Sequence, residues 1–394
     1  MISFFDDAKK IFPSVVECRR KIHKHPEIGS QEFETAKLVA DRLKALNINV
    51  IENVGSPYPG VVGVLKGDKE GRTVALRADM DALPINEIKD SAYRSECPGL
   101  MHACGHDAHT AIALGAAELL SKHKAELHGN VKFIFQPNEE REGGAEPMIR
   151  DGALKDVSAI FGLHVDPDFP TGTVVTNYNA VMAASDWLML DFLGRSAHGA
   201  YPQRGVDAII IAGQFLSAVQ ALISRELDPL DSAVITFGAI NGGATRNVIC
   251  DNVHLEGILR TLDPNVREKT AKRVEEMAKG IAAAFGGDCT FKRKKSYSAT
   301  INDSNMVNLV KDTASSLLGA NSFRFLPKAR LGCEDFGYYL EKIPGAFWFL
   351  GTGSAEKDTQ YPWHSNHFDI DEDALVTGVA MQSALVYRFL NSEN

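Results

Sequence analysis

Apolar residues in the first half of the chain fall into short continuous runs that polar segments separate. Such runs are typical of strands that are buried on both faces of a largely parallel sheet. A sheet of that kind needs helices on its faces, and apolar residues at helical spacing predict two of them, over residues 35–46 and 105–120. The predicted strands cover residues 61–65, 73–76, 131–135 and 159–163.

The pattern changes further along the chain, where predicted strands and helices follow in the order β-α-β-β-α-β. This is the order of a ferredoxin-like unit, so we expect an inserted domain at residues 184–298. The segments after it complete the first domain. The expected fold class is α/β, with a mostly parallel-sheet domain at residues 1–183 and 299–394. The later predicted elements are strands 187–193, 233–240, 248–262, 288–297 and 345–350, and helices 206–224, 265–285, 302–318 and 371–390.

Composition and charge exclude several classes of protein. The chain has 394 residues, 44% of them hydrophobic and 24% charged, which is enough for two or three domains with real cores. A net charge of -9 argues against a nucleic-acid partner, although residues 292–295 form a short basic run. No apolar stretch approaches the roughly 18 residues that a spanning helix needs, so no membrane partner is expected.

The N-terminal residues and the cysteines bear on the compartment. Asp6 and Asp7 stand where a secretory signal would have a basic start and an apolar run. The six cysteines have no regular spacing, unlike those of a disulfide scaffold, so reduced thiols are expected. These features predict a cytoplasmic protein.

Residues 101–110 read Met-His-Ala-Cys-Gly-His-Asp-Ala-His-Thr, which brings three imidazoles, a thiol and a carboxylate together. Cys104 and His106 offer a thiolate and an imidazole two positions apart, a pair that zinc or manganese could accept. Two ligands leave a coordination shell open, so other donors must come from elsewhere in the chain. The candidates are Glu139 with Glu140, His164, and His364 with His367.

Polar residues also follow several of the predicted strands directly. In open α/β sheets, ligand sites assemble at the carboxyl ends of the strands. Residues that are distant in sequence are therefore expected to converge at this edge. The residues at predicted strand ends are Asp79, Asp81, Glu139, Glu140 and His164.

Several motifs resemble those of one enzyme family, the aminoacylase/carboxypeptidase-type metallo-amidohydrolases. This family includes hippurate hydrolases, N-acyl-L-amino acid amidohydrolases, auxin-conjugate hydrolases and N-acetyldiaminopimelate deacetylases. The resemblance runs nearly end to end, and MHACGHDAH followed by QPNEE is a highly specific combination. The matching motifs are RRKIHKHPEIGSQEFE (19–34), LRADMDALP (76–84), MHACGHDAH (101–109), FQPNEE (135–140), GRSAH (194–198) and EDF (334–336).

The resemblance implies a catalytic domain of metallo-exopeptidase type that holds two divalent metal ions per subunit. Mn²⁺ or Zn²⁺ is expected, and the donors also tolerate Co²⁺ or Ni²⁺. By position, His364 is preferred to His367, although Asn366 replaces a proline that is common in the family pattern. The residues that match the family's ligand positions are Cys104, His106, Glu140, His164 and His364.

The activity that the resemblance implies is hydrolysis of the amide bond of N-acyl-L-amino acids, of N-acetyl or N-benzoyl (hippurate-like) type, to a carboxylate and a free amino acid. A metal-bridged water is the expected nucleophile. Glu139 matches the general base, which takes a proton from water and later delivers it to nitrogen, while Glu140 binds metal. Asp81 is expected to orient an imidazole or a metal-bound water.

The inserted domain contributes three further candidates. His198 matches a family histidine that helps to hold the oxyanion, often from a partner subunit, and whether it acts in cis or in trans is left open. Asn247 and Arg260 are candidate contacts for a substrate carboxylate. The resemblance also implies a homodimer, or a homotetramer.

Simpler interpretations exist for several of these residues. Cys104 taken alone would be a small buried apolar residue, and Arg260 on a strand would form a surface pair. Because only a few donors fit one site, His102 and His109 are expected to support a ligand or the helix instead.

Two alternative functions fit the same sequence. A dipeptidase or carboxypeptidase would share the metal site and differ in the pocket that faces the acyl group. A catalytically silent metal-binding homologue would not need a general base, so the presence of Glu139 favours an enzyme.

Overall fold

The computed structural model describes residues 2–392 and separates into two compact units. Unit 1 consists of Ile301–Pro327 and the described parts of Met1–Asn179 and Asp335–Asn394. Unit 2 consists of Ala180–Thr300 and Lys328–Glu334.

The helices are α1 (Phe4–Lys24), α2 (Phe33–Ala45), α3 (His106–Lys122), α4 (Ala145–Arg150), α5 (Ala208–Ala221), α6 (Pro264–Ala284), α7 (Ser304–Leu318), α8 (Gly337–Leu340) and α9 (Ala374–Asn391). Short 3₁₀ turns lie at Lys124–Glu126 and Pro202–Arg204, and a π-helical turn at Leu222–Glu226 follows α5.

The strands are β1 (Asn49–Val54), β2 (Gly60–Lys66), β3 (Lys69–Asp79), β4 (His128–Gln136), β5 (Ala159–Pro170), β6 (Val174–Thr176), β7 (Asn179–Met182), β8 (Ala184–Leu193), β9 (Ala233–Gly242), β10 (Asn252–Thr261), β11 (Asp288–Lys295), β12 (Thr300–Asn302), β13 (Phe323–Phe325) and β14 (Gly345–Gly353).

Unit 1 is built on an eight-stranded sheet with the order β1-β2-β4-β3-β5-β14-β6-β13. Its central strands β4, β3, β5 and β14 run parallel, with Val74 opposite both Val131 and Ala159. The outer strands β1, β2 and β6 add antiparallel pairs. The predicted α/β fold with a mostly parallel sheet is confirmed.

The core of unit 1 explains why its central strands are continuous apolar runs. All nine residues of β14 are buried, as is the C-terminal half of β3. Helices α1, α3 and α9 pack against one another. Helix α3 is buried along almost its whole length, which its small, Ala-rich sequence permits. Because the sheet is buried on both faces, the carboxyl ends of β3 and β4 are held in fixed positions at one edge of it.

Unit 2 is a four-stranded antiparallel sheet with the order β11-β8-β10-β9. Along β8, Leu188, Leu190 and Phe192 are buried, and they belong to the same apolar core as Phe215 of α5 and Val274 of α6. The chain order β8-α5-β9-β10-α6-β11 is the predicted ferredoxin-like order.

Residues 328–334 differ from the expected division of the chain, which assigned them to the first domain. They belong to unit 2. Arg330 N donates to Val181 O at 2.9 Å, and Ala183 N donates to Gly332 O at 2.9 Å. These backbone hydrogen bonds attach the segment to the start of unit 2.

The segment Ala208–Glu226 corrects one expectation about apolar length. It is 19 residues long and contains an 18-residue window with a mean hydropathy of 1.5, so by length and composition alone it could cross a membrane. The prediction that no apolar stretch approaches this length was wrong, because glutamines and serines interrupt the run without lowering its mean hydropathy enough. Within unit 2, Ile211, Phe215 and Val219 of this segment pack in the core.

Candidate metal centre

The turn at Cys104–Gly105–His106 introduces α3 at the edge of the unit 1 sheet. Gly105 has a φ of 88°, and a Cβ at this position would lie 2.3 Å from Val165 Cγ2. Only glycine fits this turn without strain. The turn buries Cys104 and His106 and leaves Cys104 Sγ 3.4 Å from His164 Nε2.

Side chains from four separate parts of unit 1 meet beside this turn. Three overlapping groups form, and within each group the donor atoms lie within 4.8 Å of one another. All five ligand candidates and the candidate base therefore lie in one cluster. The groups are Cys104 with His106 and His164, Cys104 with Glu140 and His364, and His106 with Glu139 and Glu140.

His164 lies within a strand, where the sequence predicted a strand end. Strand β5 continues to Pro170, because its pairing with β14 extends past His164. The parallel ladder between β3 and β5 nevertheless ends at Arg77 and Gly162, two residues before Asp79 and His164. His164 thus belongs to the same edge of the sheet as Asp79.

The ring of His164 has its tautomer set by the backbone. Nδ1 lies 2.8 Å from the carbonyl oxygen of Val165, to which it donates. Nε2 is then the unprotonated nitrogen that faces Cys104 Sγ. Burial lowers the pKa of His164, so the ring is neutral. A neutral imidazole with one nitrogen held by a carbonyl is the usual form of a metal-ligating histidine.

Asp81 connects two of the candidate ligands. Its Oδ1 lies 3.2 Å from His106 Nδ1, and its Oδ2 accepts from the backbone N–H of Glu140 at 2.9 Å. Burial alone would lower the pKa of His106, but Asp79 and Asp81 raise it to about 10. A divalent cation that displaced this proton would keep the positive charge that these carboxylates require.

His364 approaches from the C-terminal segment. Its backbone has a φ of 63°, in the left-handed region, and its N–H donates to Ala103 O at 2.8 Å. Its Nε2 lies 3.2 Å from Glu140 Oε1. His367 instead stacks its ring on Tyr361, with centroids 4.9 Å apart.

His109 lies in the same region, but both of its ring nitrogens are engaged. Nδ1 is 2.6 Å from Asp79 Oδ1, and Nε2 accepts from Val165 N at 2.9 Å. Asp79 is in turn bound by Arg77 Nη1 at 2.6 Å. His109 therefore supports the sheet edge and is not available as a ligand in this arrangement.

The donors fit a divalent cation. His106 Nε2 is buried in the cluster and has no hydrogen-bond partner among residues 2–392, since Asp79 Oδ2 and Glu140 Oε1 lie 3.8 and 3.9 Å away. Burial together with Glu140 raises the pKa of the Cys104 thiol well above its usual value. A buried polar atom without a partner is costly unless an ion or water satisfies it. One thiol, three imidazoles and a carboxylate also match the ligand preferences of zinc and similar ions.

The other sequence candidates lie in unit 2. His198 and Asn247 are neighbours there: His198 forms a β-bridge with Val248, and Gly199 N donates to Asn247 O at 2.8 Å. Both side chains are exposed. Arg260 lies on β10, where its Nη1 contacts Cys333 Sγ, and burial lowers its pKa.

Comparison with known proteins finds one family over most of the chain. The model of peptidase family M20/M25/M40 matches residues 75–388. Thermostable carboxypeptidase 2 of Saccharolobus solfataricus is 39% identical over 389 residues, covering 98% of each chain. N-acetyl-L-cysteine deacetylase of Bacillus subtilis is 41% identical over 362 residues, covering 92% of this chain and 85% of that one.

A solved structure is similar over the same length. The Bacillus subtilis YXEP protein, described as a dinuclear metal binding peptidase of family M20, is 34% identical with a TM-score of 0.87, covering 98% of this chain and 100% of that one. The chain belongs to this family. It is a metallo-amidohydrolase.

A buried ion network supports the loop beside the centre of this amidohydrolase. Asp335 accepts from Arg77 Nη2 at 2.8 Å and from Gln136 Nε2 at 2.7 Å. Its Oδ2 also accepts from the N–H groups of Gly144 and Ala145, at 2.9 and 3.0 Å. Asp335 thus holds both ends of the loop that carries Glu139 and Glu140.

We expect Asp335→Ala to lower the free energy of unfolding by about 3–5 kcal/mol, because it removes a fully buried partner of Arg77 and leaves two backbone N–H groups without an acceptor. Urea unfolding followed by circular dichroism measures this. Asp358→Asn, at an exposed ion pair with Lys89, is the control and should cost less than about 1 kcal/mol. Equal effects of the two substitutions would contradict a structural role for Asp335.

Proposed function

We propose that this amidohydrolase cleaves the amide bond of N-acyl-L-amino acids of N-acetyl or N-benzoyl type and releases a carboxylate and a free amino acid. The observation that carries the proposal is the pairing of two adjacent glutamates with a buried donor cluster. Glu140 belongs to the cluster through Cys104 and His364, while Glu139 lies beside His106 and is 6% exposed. A metal-binding protein without catalysis has no use for the second carboxylate.

In this proposal the cluster holds two divalent ions, Mn²⁺ or Zn²⁺, with Co²⁺ or Ni²⁺ as substitutes. When bound, such ions supply Lewis-acid activation of the scissile carbonyl and of water. The residues that would hold them are Cys104, His106, Glu140, His164 and His364.

Glu139 acts in the proposal as the general base and then as the acid. Its carboxylate accepts a proton from the attacking water and delivers it to the departing amine nitrogen. Asp81 aids this division of work, because it holds the His106 ring and the backbone N–H of Glu140 with its two carboxylate oxygens. In the proposal, these contacts keep Glu140 in the ligand role and Glu139 in the base role.

Unit 2 supplies substrate contacts in this proposal. His198 would donate to the developing oxyanion, and its exposed ring meets the requirement for reaching a ligand. Asn247, its neighbour, and Arg260 would bind the substrate carboxylate.

The acyl group is proposed to meet an aromatic surface of unit 1. The Trp363 ring lies 4.7 Å from the His164 ring, and its Nε1 donates to Val165 O at 2.9 Å. An indole fixed at one end leaves a rigid apolar face beside the donors. A surface of this kind suits an acetyl methyl group or a benzoyl ring.

A carboxypeptidase activity is the second candidate, and the 39% identical carboxypeptidase of Saccharolobus solfataricus favours it. Both reactions use the same centre. They differ in the part of the substrate that carries the scissile carbonyl, which is a simple acyl group in one reaction and a peptide in the other.

An amine-release assay on purified protein separates these candidates. We expect release from N-acetyl and N-benzoyl amino acids to exceed release from blocked dipeptides at least tenfold. A chelator should abolish it, because the ligands alone supply no Lewis acid, and Mn²⁺ or Zn²⁺ should restore it. Preference for the peptides would favour the carboxypeptidase, and activity unaffected by chelation would contradict both.

Glu139→Gln should lower kcat by about 10²–10⁴-fold, because the amide cannot accept the proton from water. Bound metal, measured by atomic emission, should stay at the wild-type level. Glu142→Gln changes an exposed carboxylate in the same loop and should leave kcat within twofold. Loss of metal in proportion to activity in the Glu139 variant would show that Glu139 is a ligand and not the base.

We also propose a homodimer formed through unit 2. Strand β9 lies at an edge of its sheet and carries no charged residue, and Ile240 on it is 56% exposed. Ile209 and Ile210 of α5 are each 50% exposed. An apolar edge strand without charges pairs readily with a second copy.

Ile240→Lys should convert the dimer to monomers in sedimentation velocity, because a charge on the edge strand opposes pairing. The matched control is Ile88→Lys, which places the same charge at a 45% exposed isoleucine of unit 1 and should leave the dimer intact. A wild-type monomer, or a dimer that survives Ile240→Lys, would overturn the proposed interface.

A further inference from the structure

Arg19 lies in the C-terminal part of α1 and is completely buried. Its guanidinium donates to three carboxylates: Nε to Asp107 Oδ2 at 2.7 Å, Nη2 to Asp369 Oδ1 at 2.9 Å, and Nη1 to Glu372 Oε1 at 3.2 Å. A fully buried arginine that meets three acids is a rigid junction, because its planar fork fixes the direction of each hydrogen bond.

Two of these acids belong to segments that carry candidate ligands. Asp107 follows His106 directly in the first turn of α3. Asp369 lies in the C-terminal segment that begins at His364. Arg19 therefore joins two pieces of chain that approach the centre independently.

The same two segments are joined a second time next to the donors. His364 N donates to Ala103 O at 2.8 Å, immediately before Cys104. One hydrogen bond fixes a distance and still allows rotation about it. A second connection, through Arg19 to Asp107 and Asp369, restrains that rotation and so fixes how His364 faces Cys104.

Neighbouring side chains hold the junction in place. His23 Nδ1 lies 2.8 Å from Asp107 Oδ2, and Tyr93 Oη donates to Asp369 Oδ2 at 2.8 Å. The Arg19 guanidinium also lies 4.8 Å from the centroid of the Tyr93 ring. Each acid thus has a second partner, which keeps its oxygens directed at Arg19.

We propose that Arg19 is a positioning residue of the metal centre: it sets the geometry of His364 relative to Cys104 and His106 and thereby the affinity of the site for divalent ions. The inference rests on the proposed function, since it assigns these side chains as ligands. Lysine cannot replace arginine here, because one ammonium group does not reach Asp107 and Asp369 in the same fixed directions.

The test compares Arg19→Lys with Arg20→Lys. Arg20 is the adjacent residue and binds Glu372, but it is 45% exposed in its side chain and donates to that acid alone among residues 2–392. Metal-free wild-type protein and both variants are titrated with Co²⁺, and the thiolate-to-cobalt absorption band reports coordination by Cys104.

We expect the Kd for Co²⁺ to rise about 10- to 100-fold in Arg19→Lys, with a shifted cobalt band, and to stay within twofold of wild type in Arg20→Lys. Equal affinities in wild type and Arg19→Lys, or equal losses in both variants, would overturn the proposal. Wild-type protein that binds no Co²⁺ at Cys104 would instead overturn the proposed function itself.

If Arg19→Lys does not fold, Asp369→Asn tests the same proposal. It keeps the size of the side chain and removes the charge that Arg19 meets. The same rise in Kd is expected, measured on metal-free protein that circular dichroism shows to be folded. Wild-type affinity in this variant would contradict the role of the junction.

Discussion

The fold of unit 1 is organised around one electrostatic constraint: carboxylates, imidazoles and a thiol lie together, and most of them are buried. Asp79, Asp81, His106 and Cys104 are all buried, and the carboxylate of Glu140 is only slightly exposed. Ionised groups in such a place are stable only when opposite charges or hydrogen-bond donors surround them. The remaining residues of the site provide those opposite charges and hydrogen-bond donors.

Protein groups satisfy the outer part of this cluster. Arg77 faces Asp79 and Asp335, and Arg19 faces Asp107 and Asp369. The inner part is different, since His106 Nε2 has no hydrogen-bond partner among residues 2–392. Protein groups thus hydrogen-bond the outer carboxylates, and a cation would bind the inner donor atoms. This is the arrangement expected of a metal site with oriented ligands.

Local patterns predicted much of this structure. The runs at residues 61–65, 131–135 and 159–163 became β2, β4 and β5, and the order of elements after residue 183 became unit 2. Periodicity was sufficient there because buried strands and amphipathic helices have local signatures. Helix α1 was not predicted, because charged residues such as Arg19 lie among its buried positions.

The supporting network could not be predicted in the same way. Arg19 meets Asp369 and Arg77 meets Asp335 across most of the chain length, and no local period encodes such pairs. The alternation of Asp79 and Asp81 at the end of an apolar strand was the one local signal of buried acids. The preference for His364 over His367 came from its position in the family pattern, and nothing in the residue type at position 364 indicated its left-handed backbone.

Anomalous diffraction from crystals grown with Mn²⁺ or Zn²⁺ tests the central claim most directly, because it locates the ions without reference to activity. We expect two peaks about 3.5–4 Å apart. They should lie within bonding distance of Cys104, His106, Glu140, His164 and His364. Ions bound elsewhere, or a cluster that stays free of metal at saturating concentration, would contradict it.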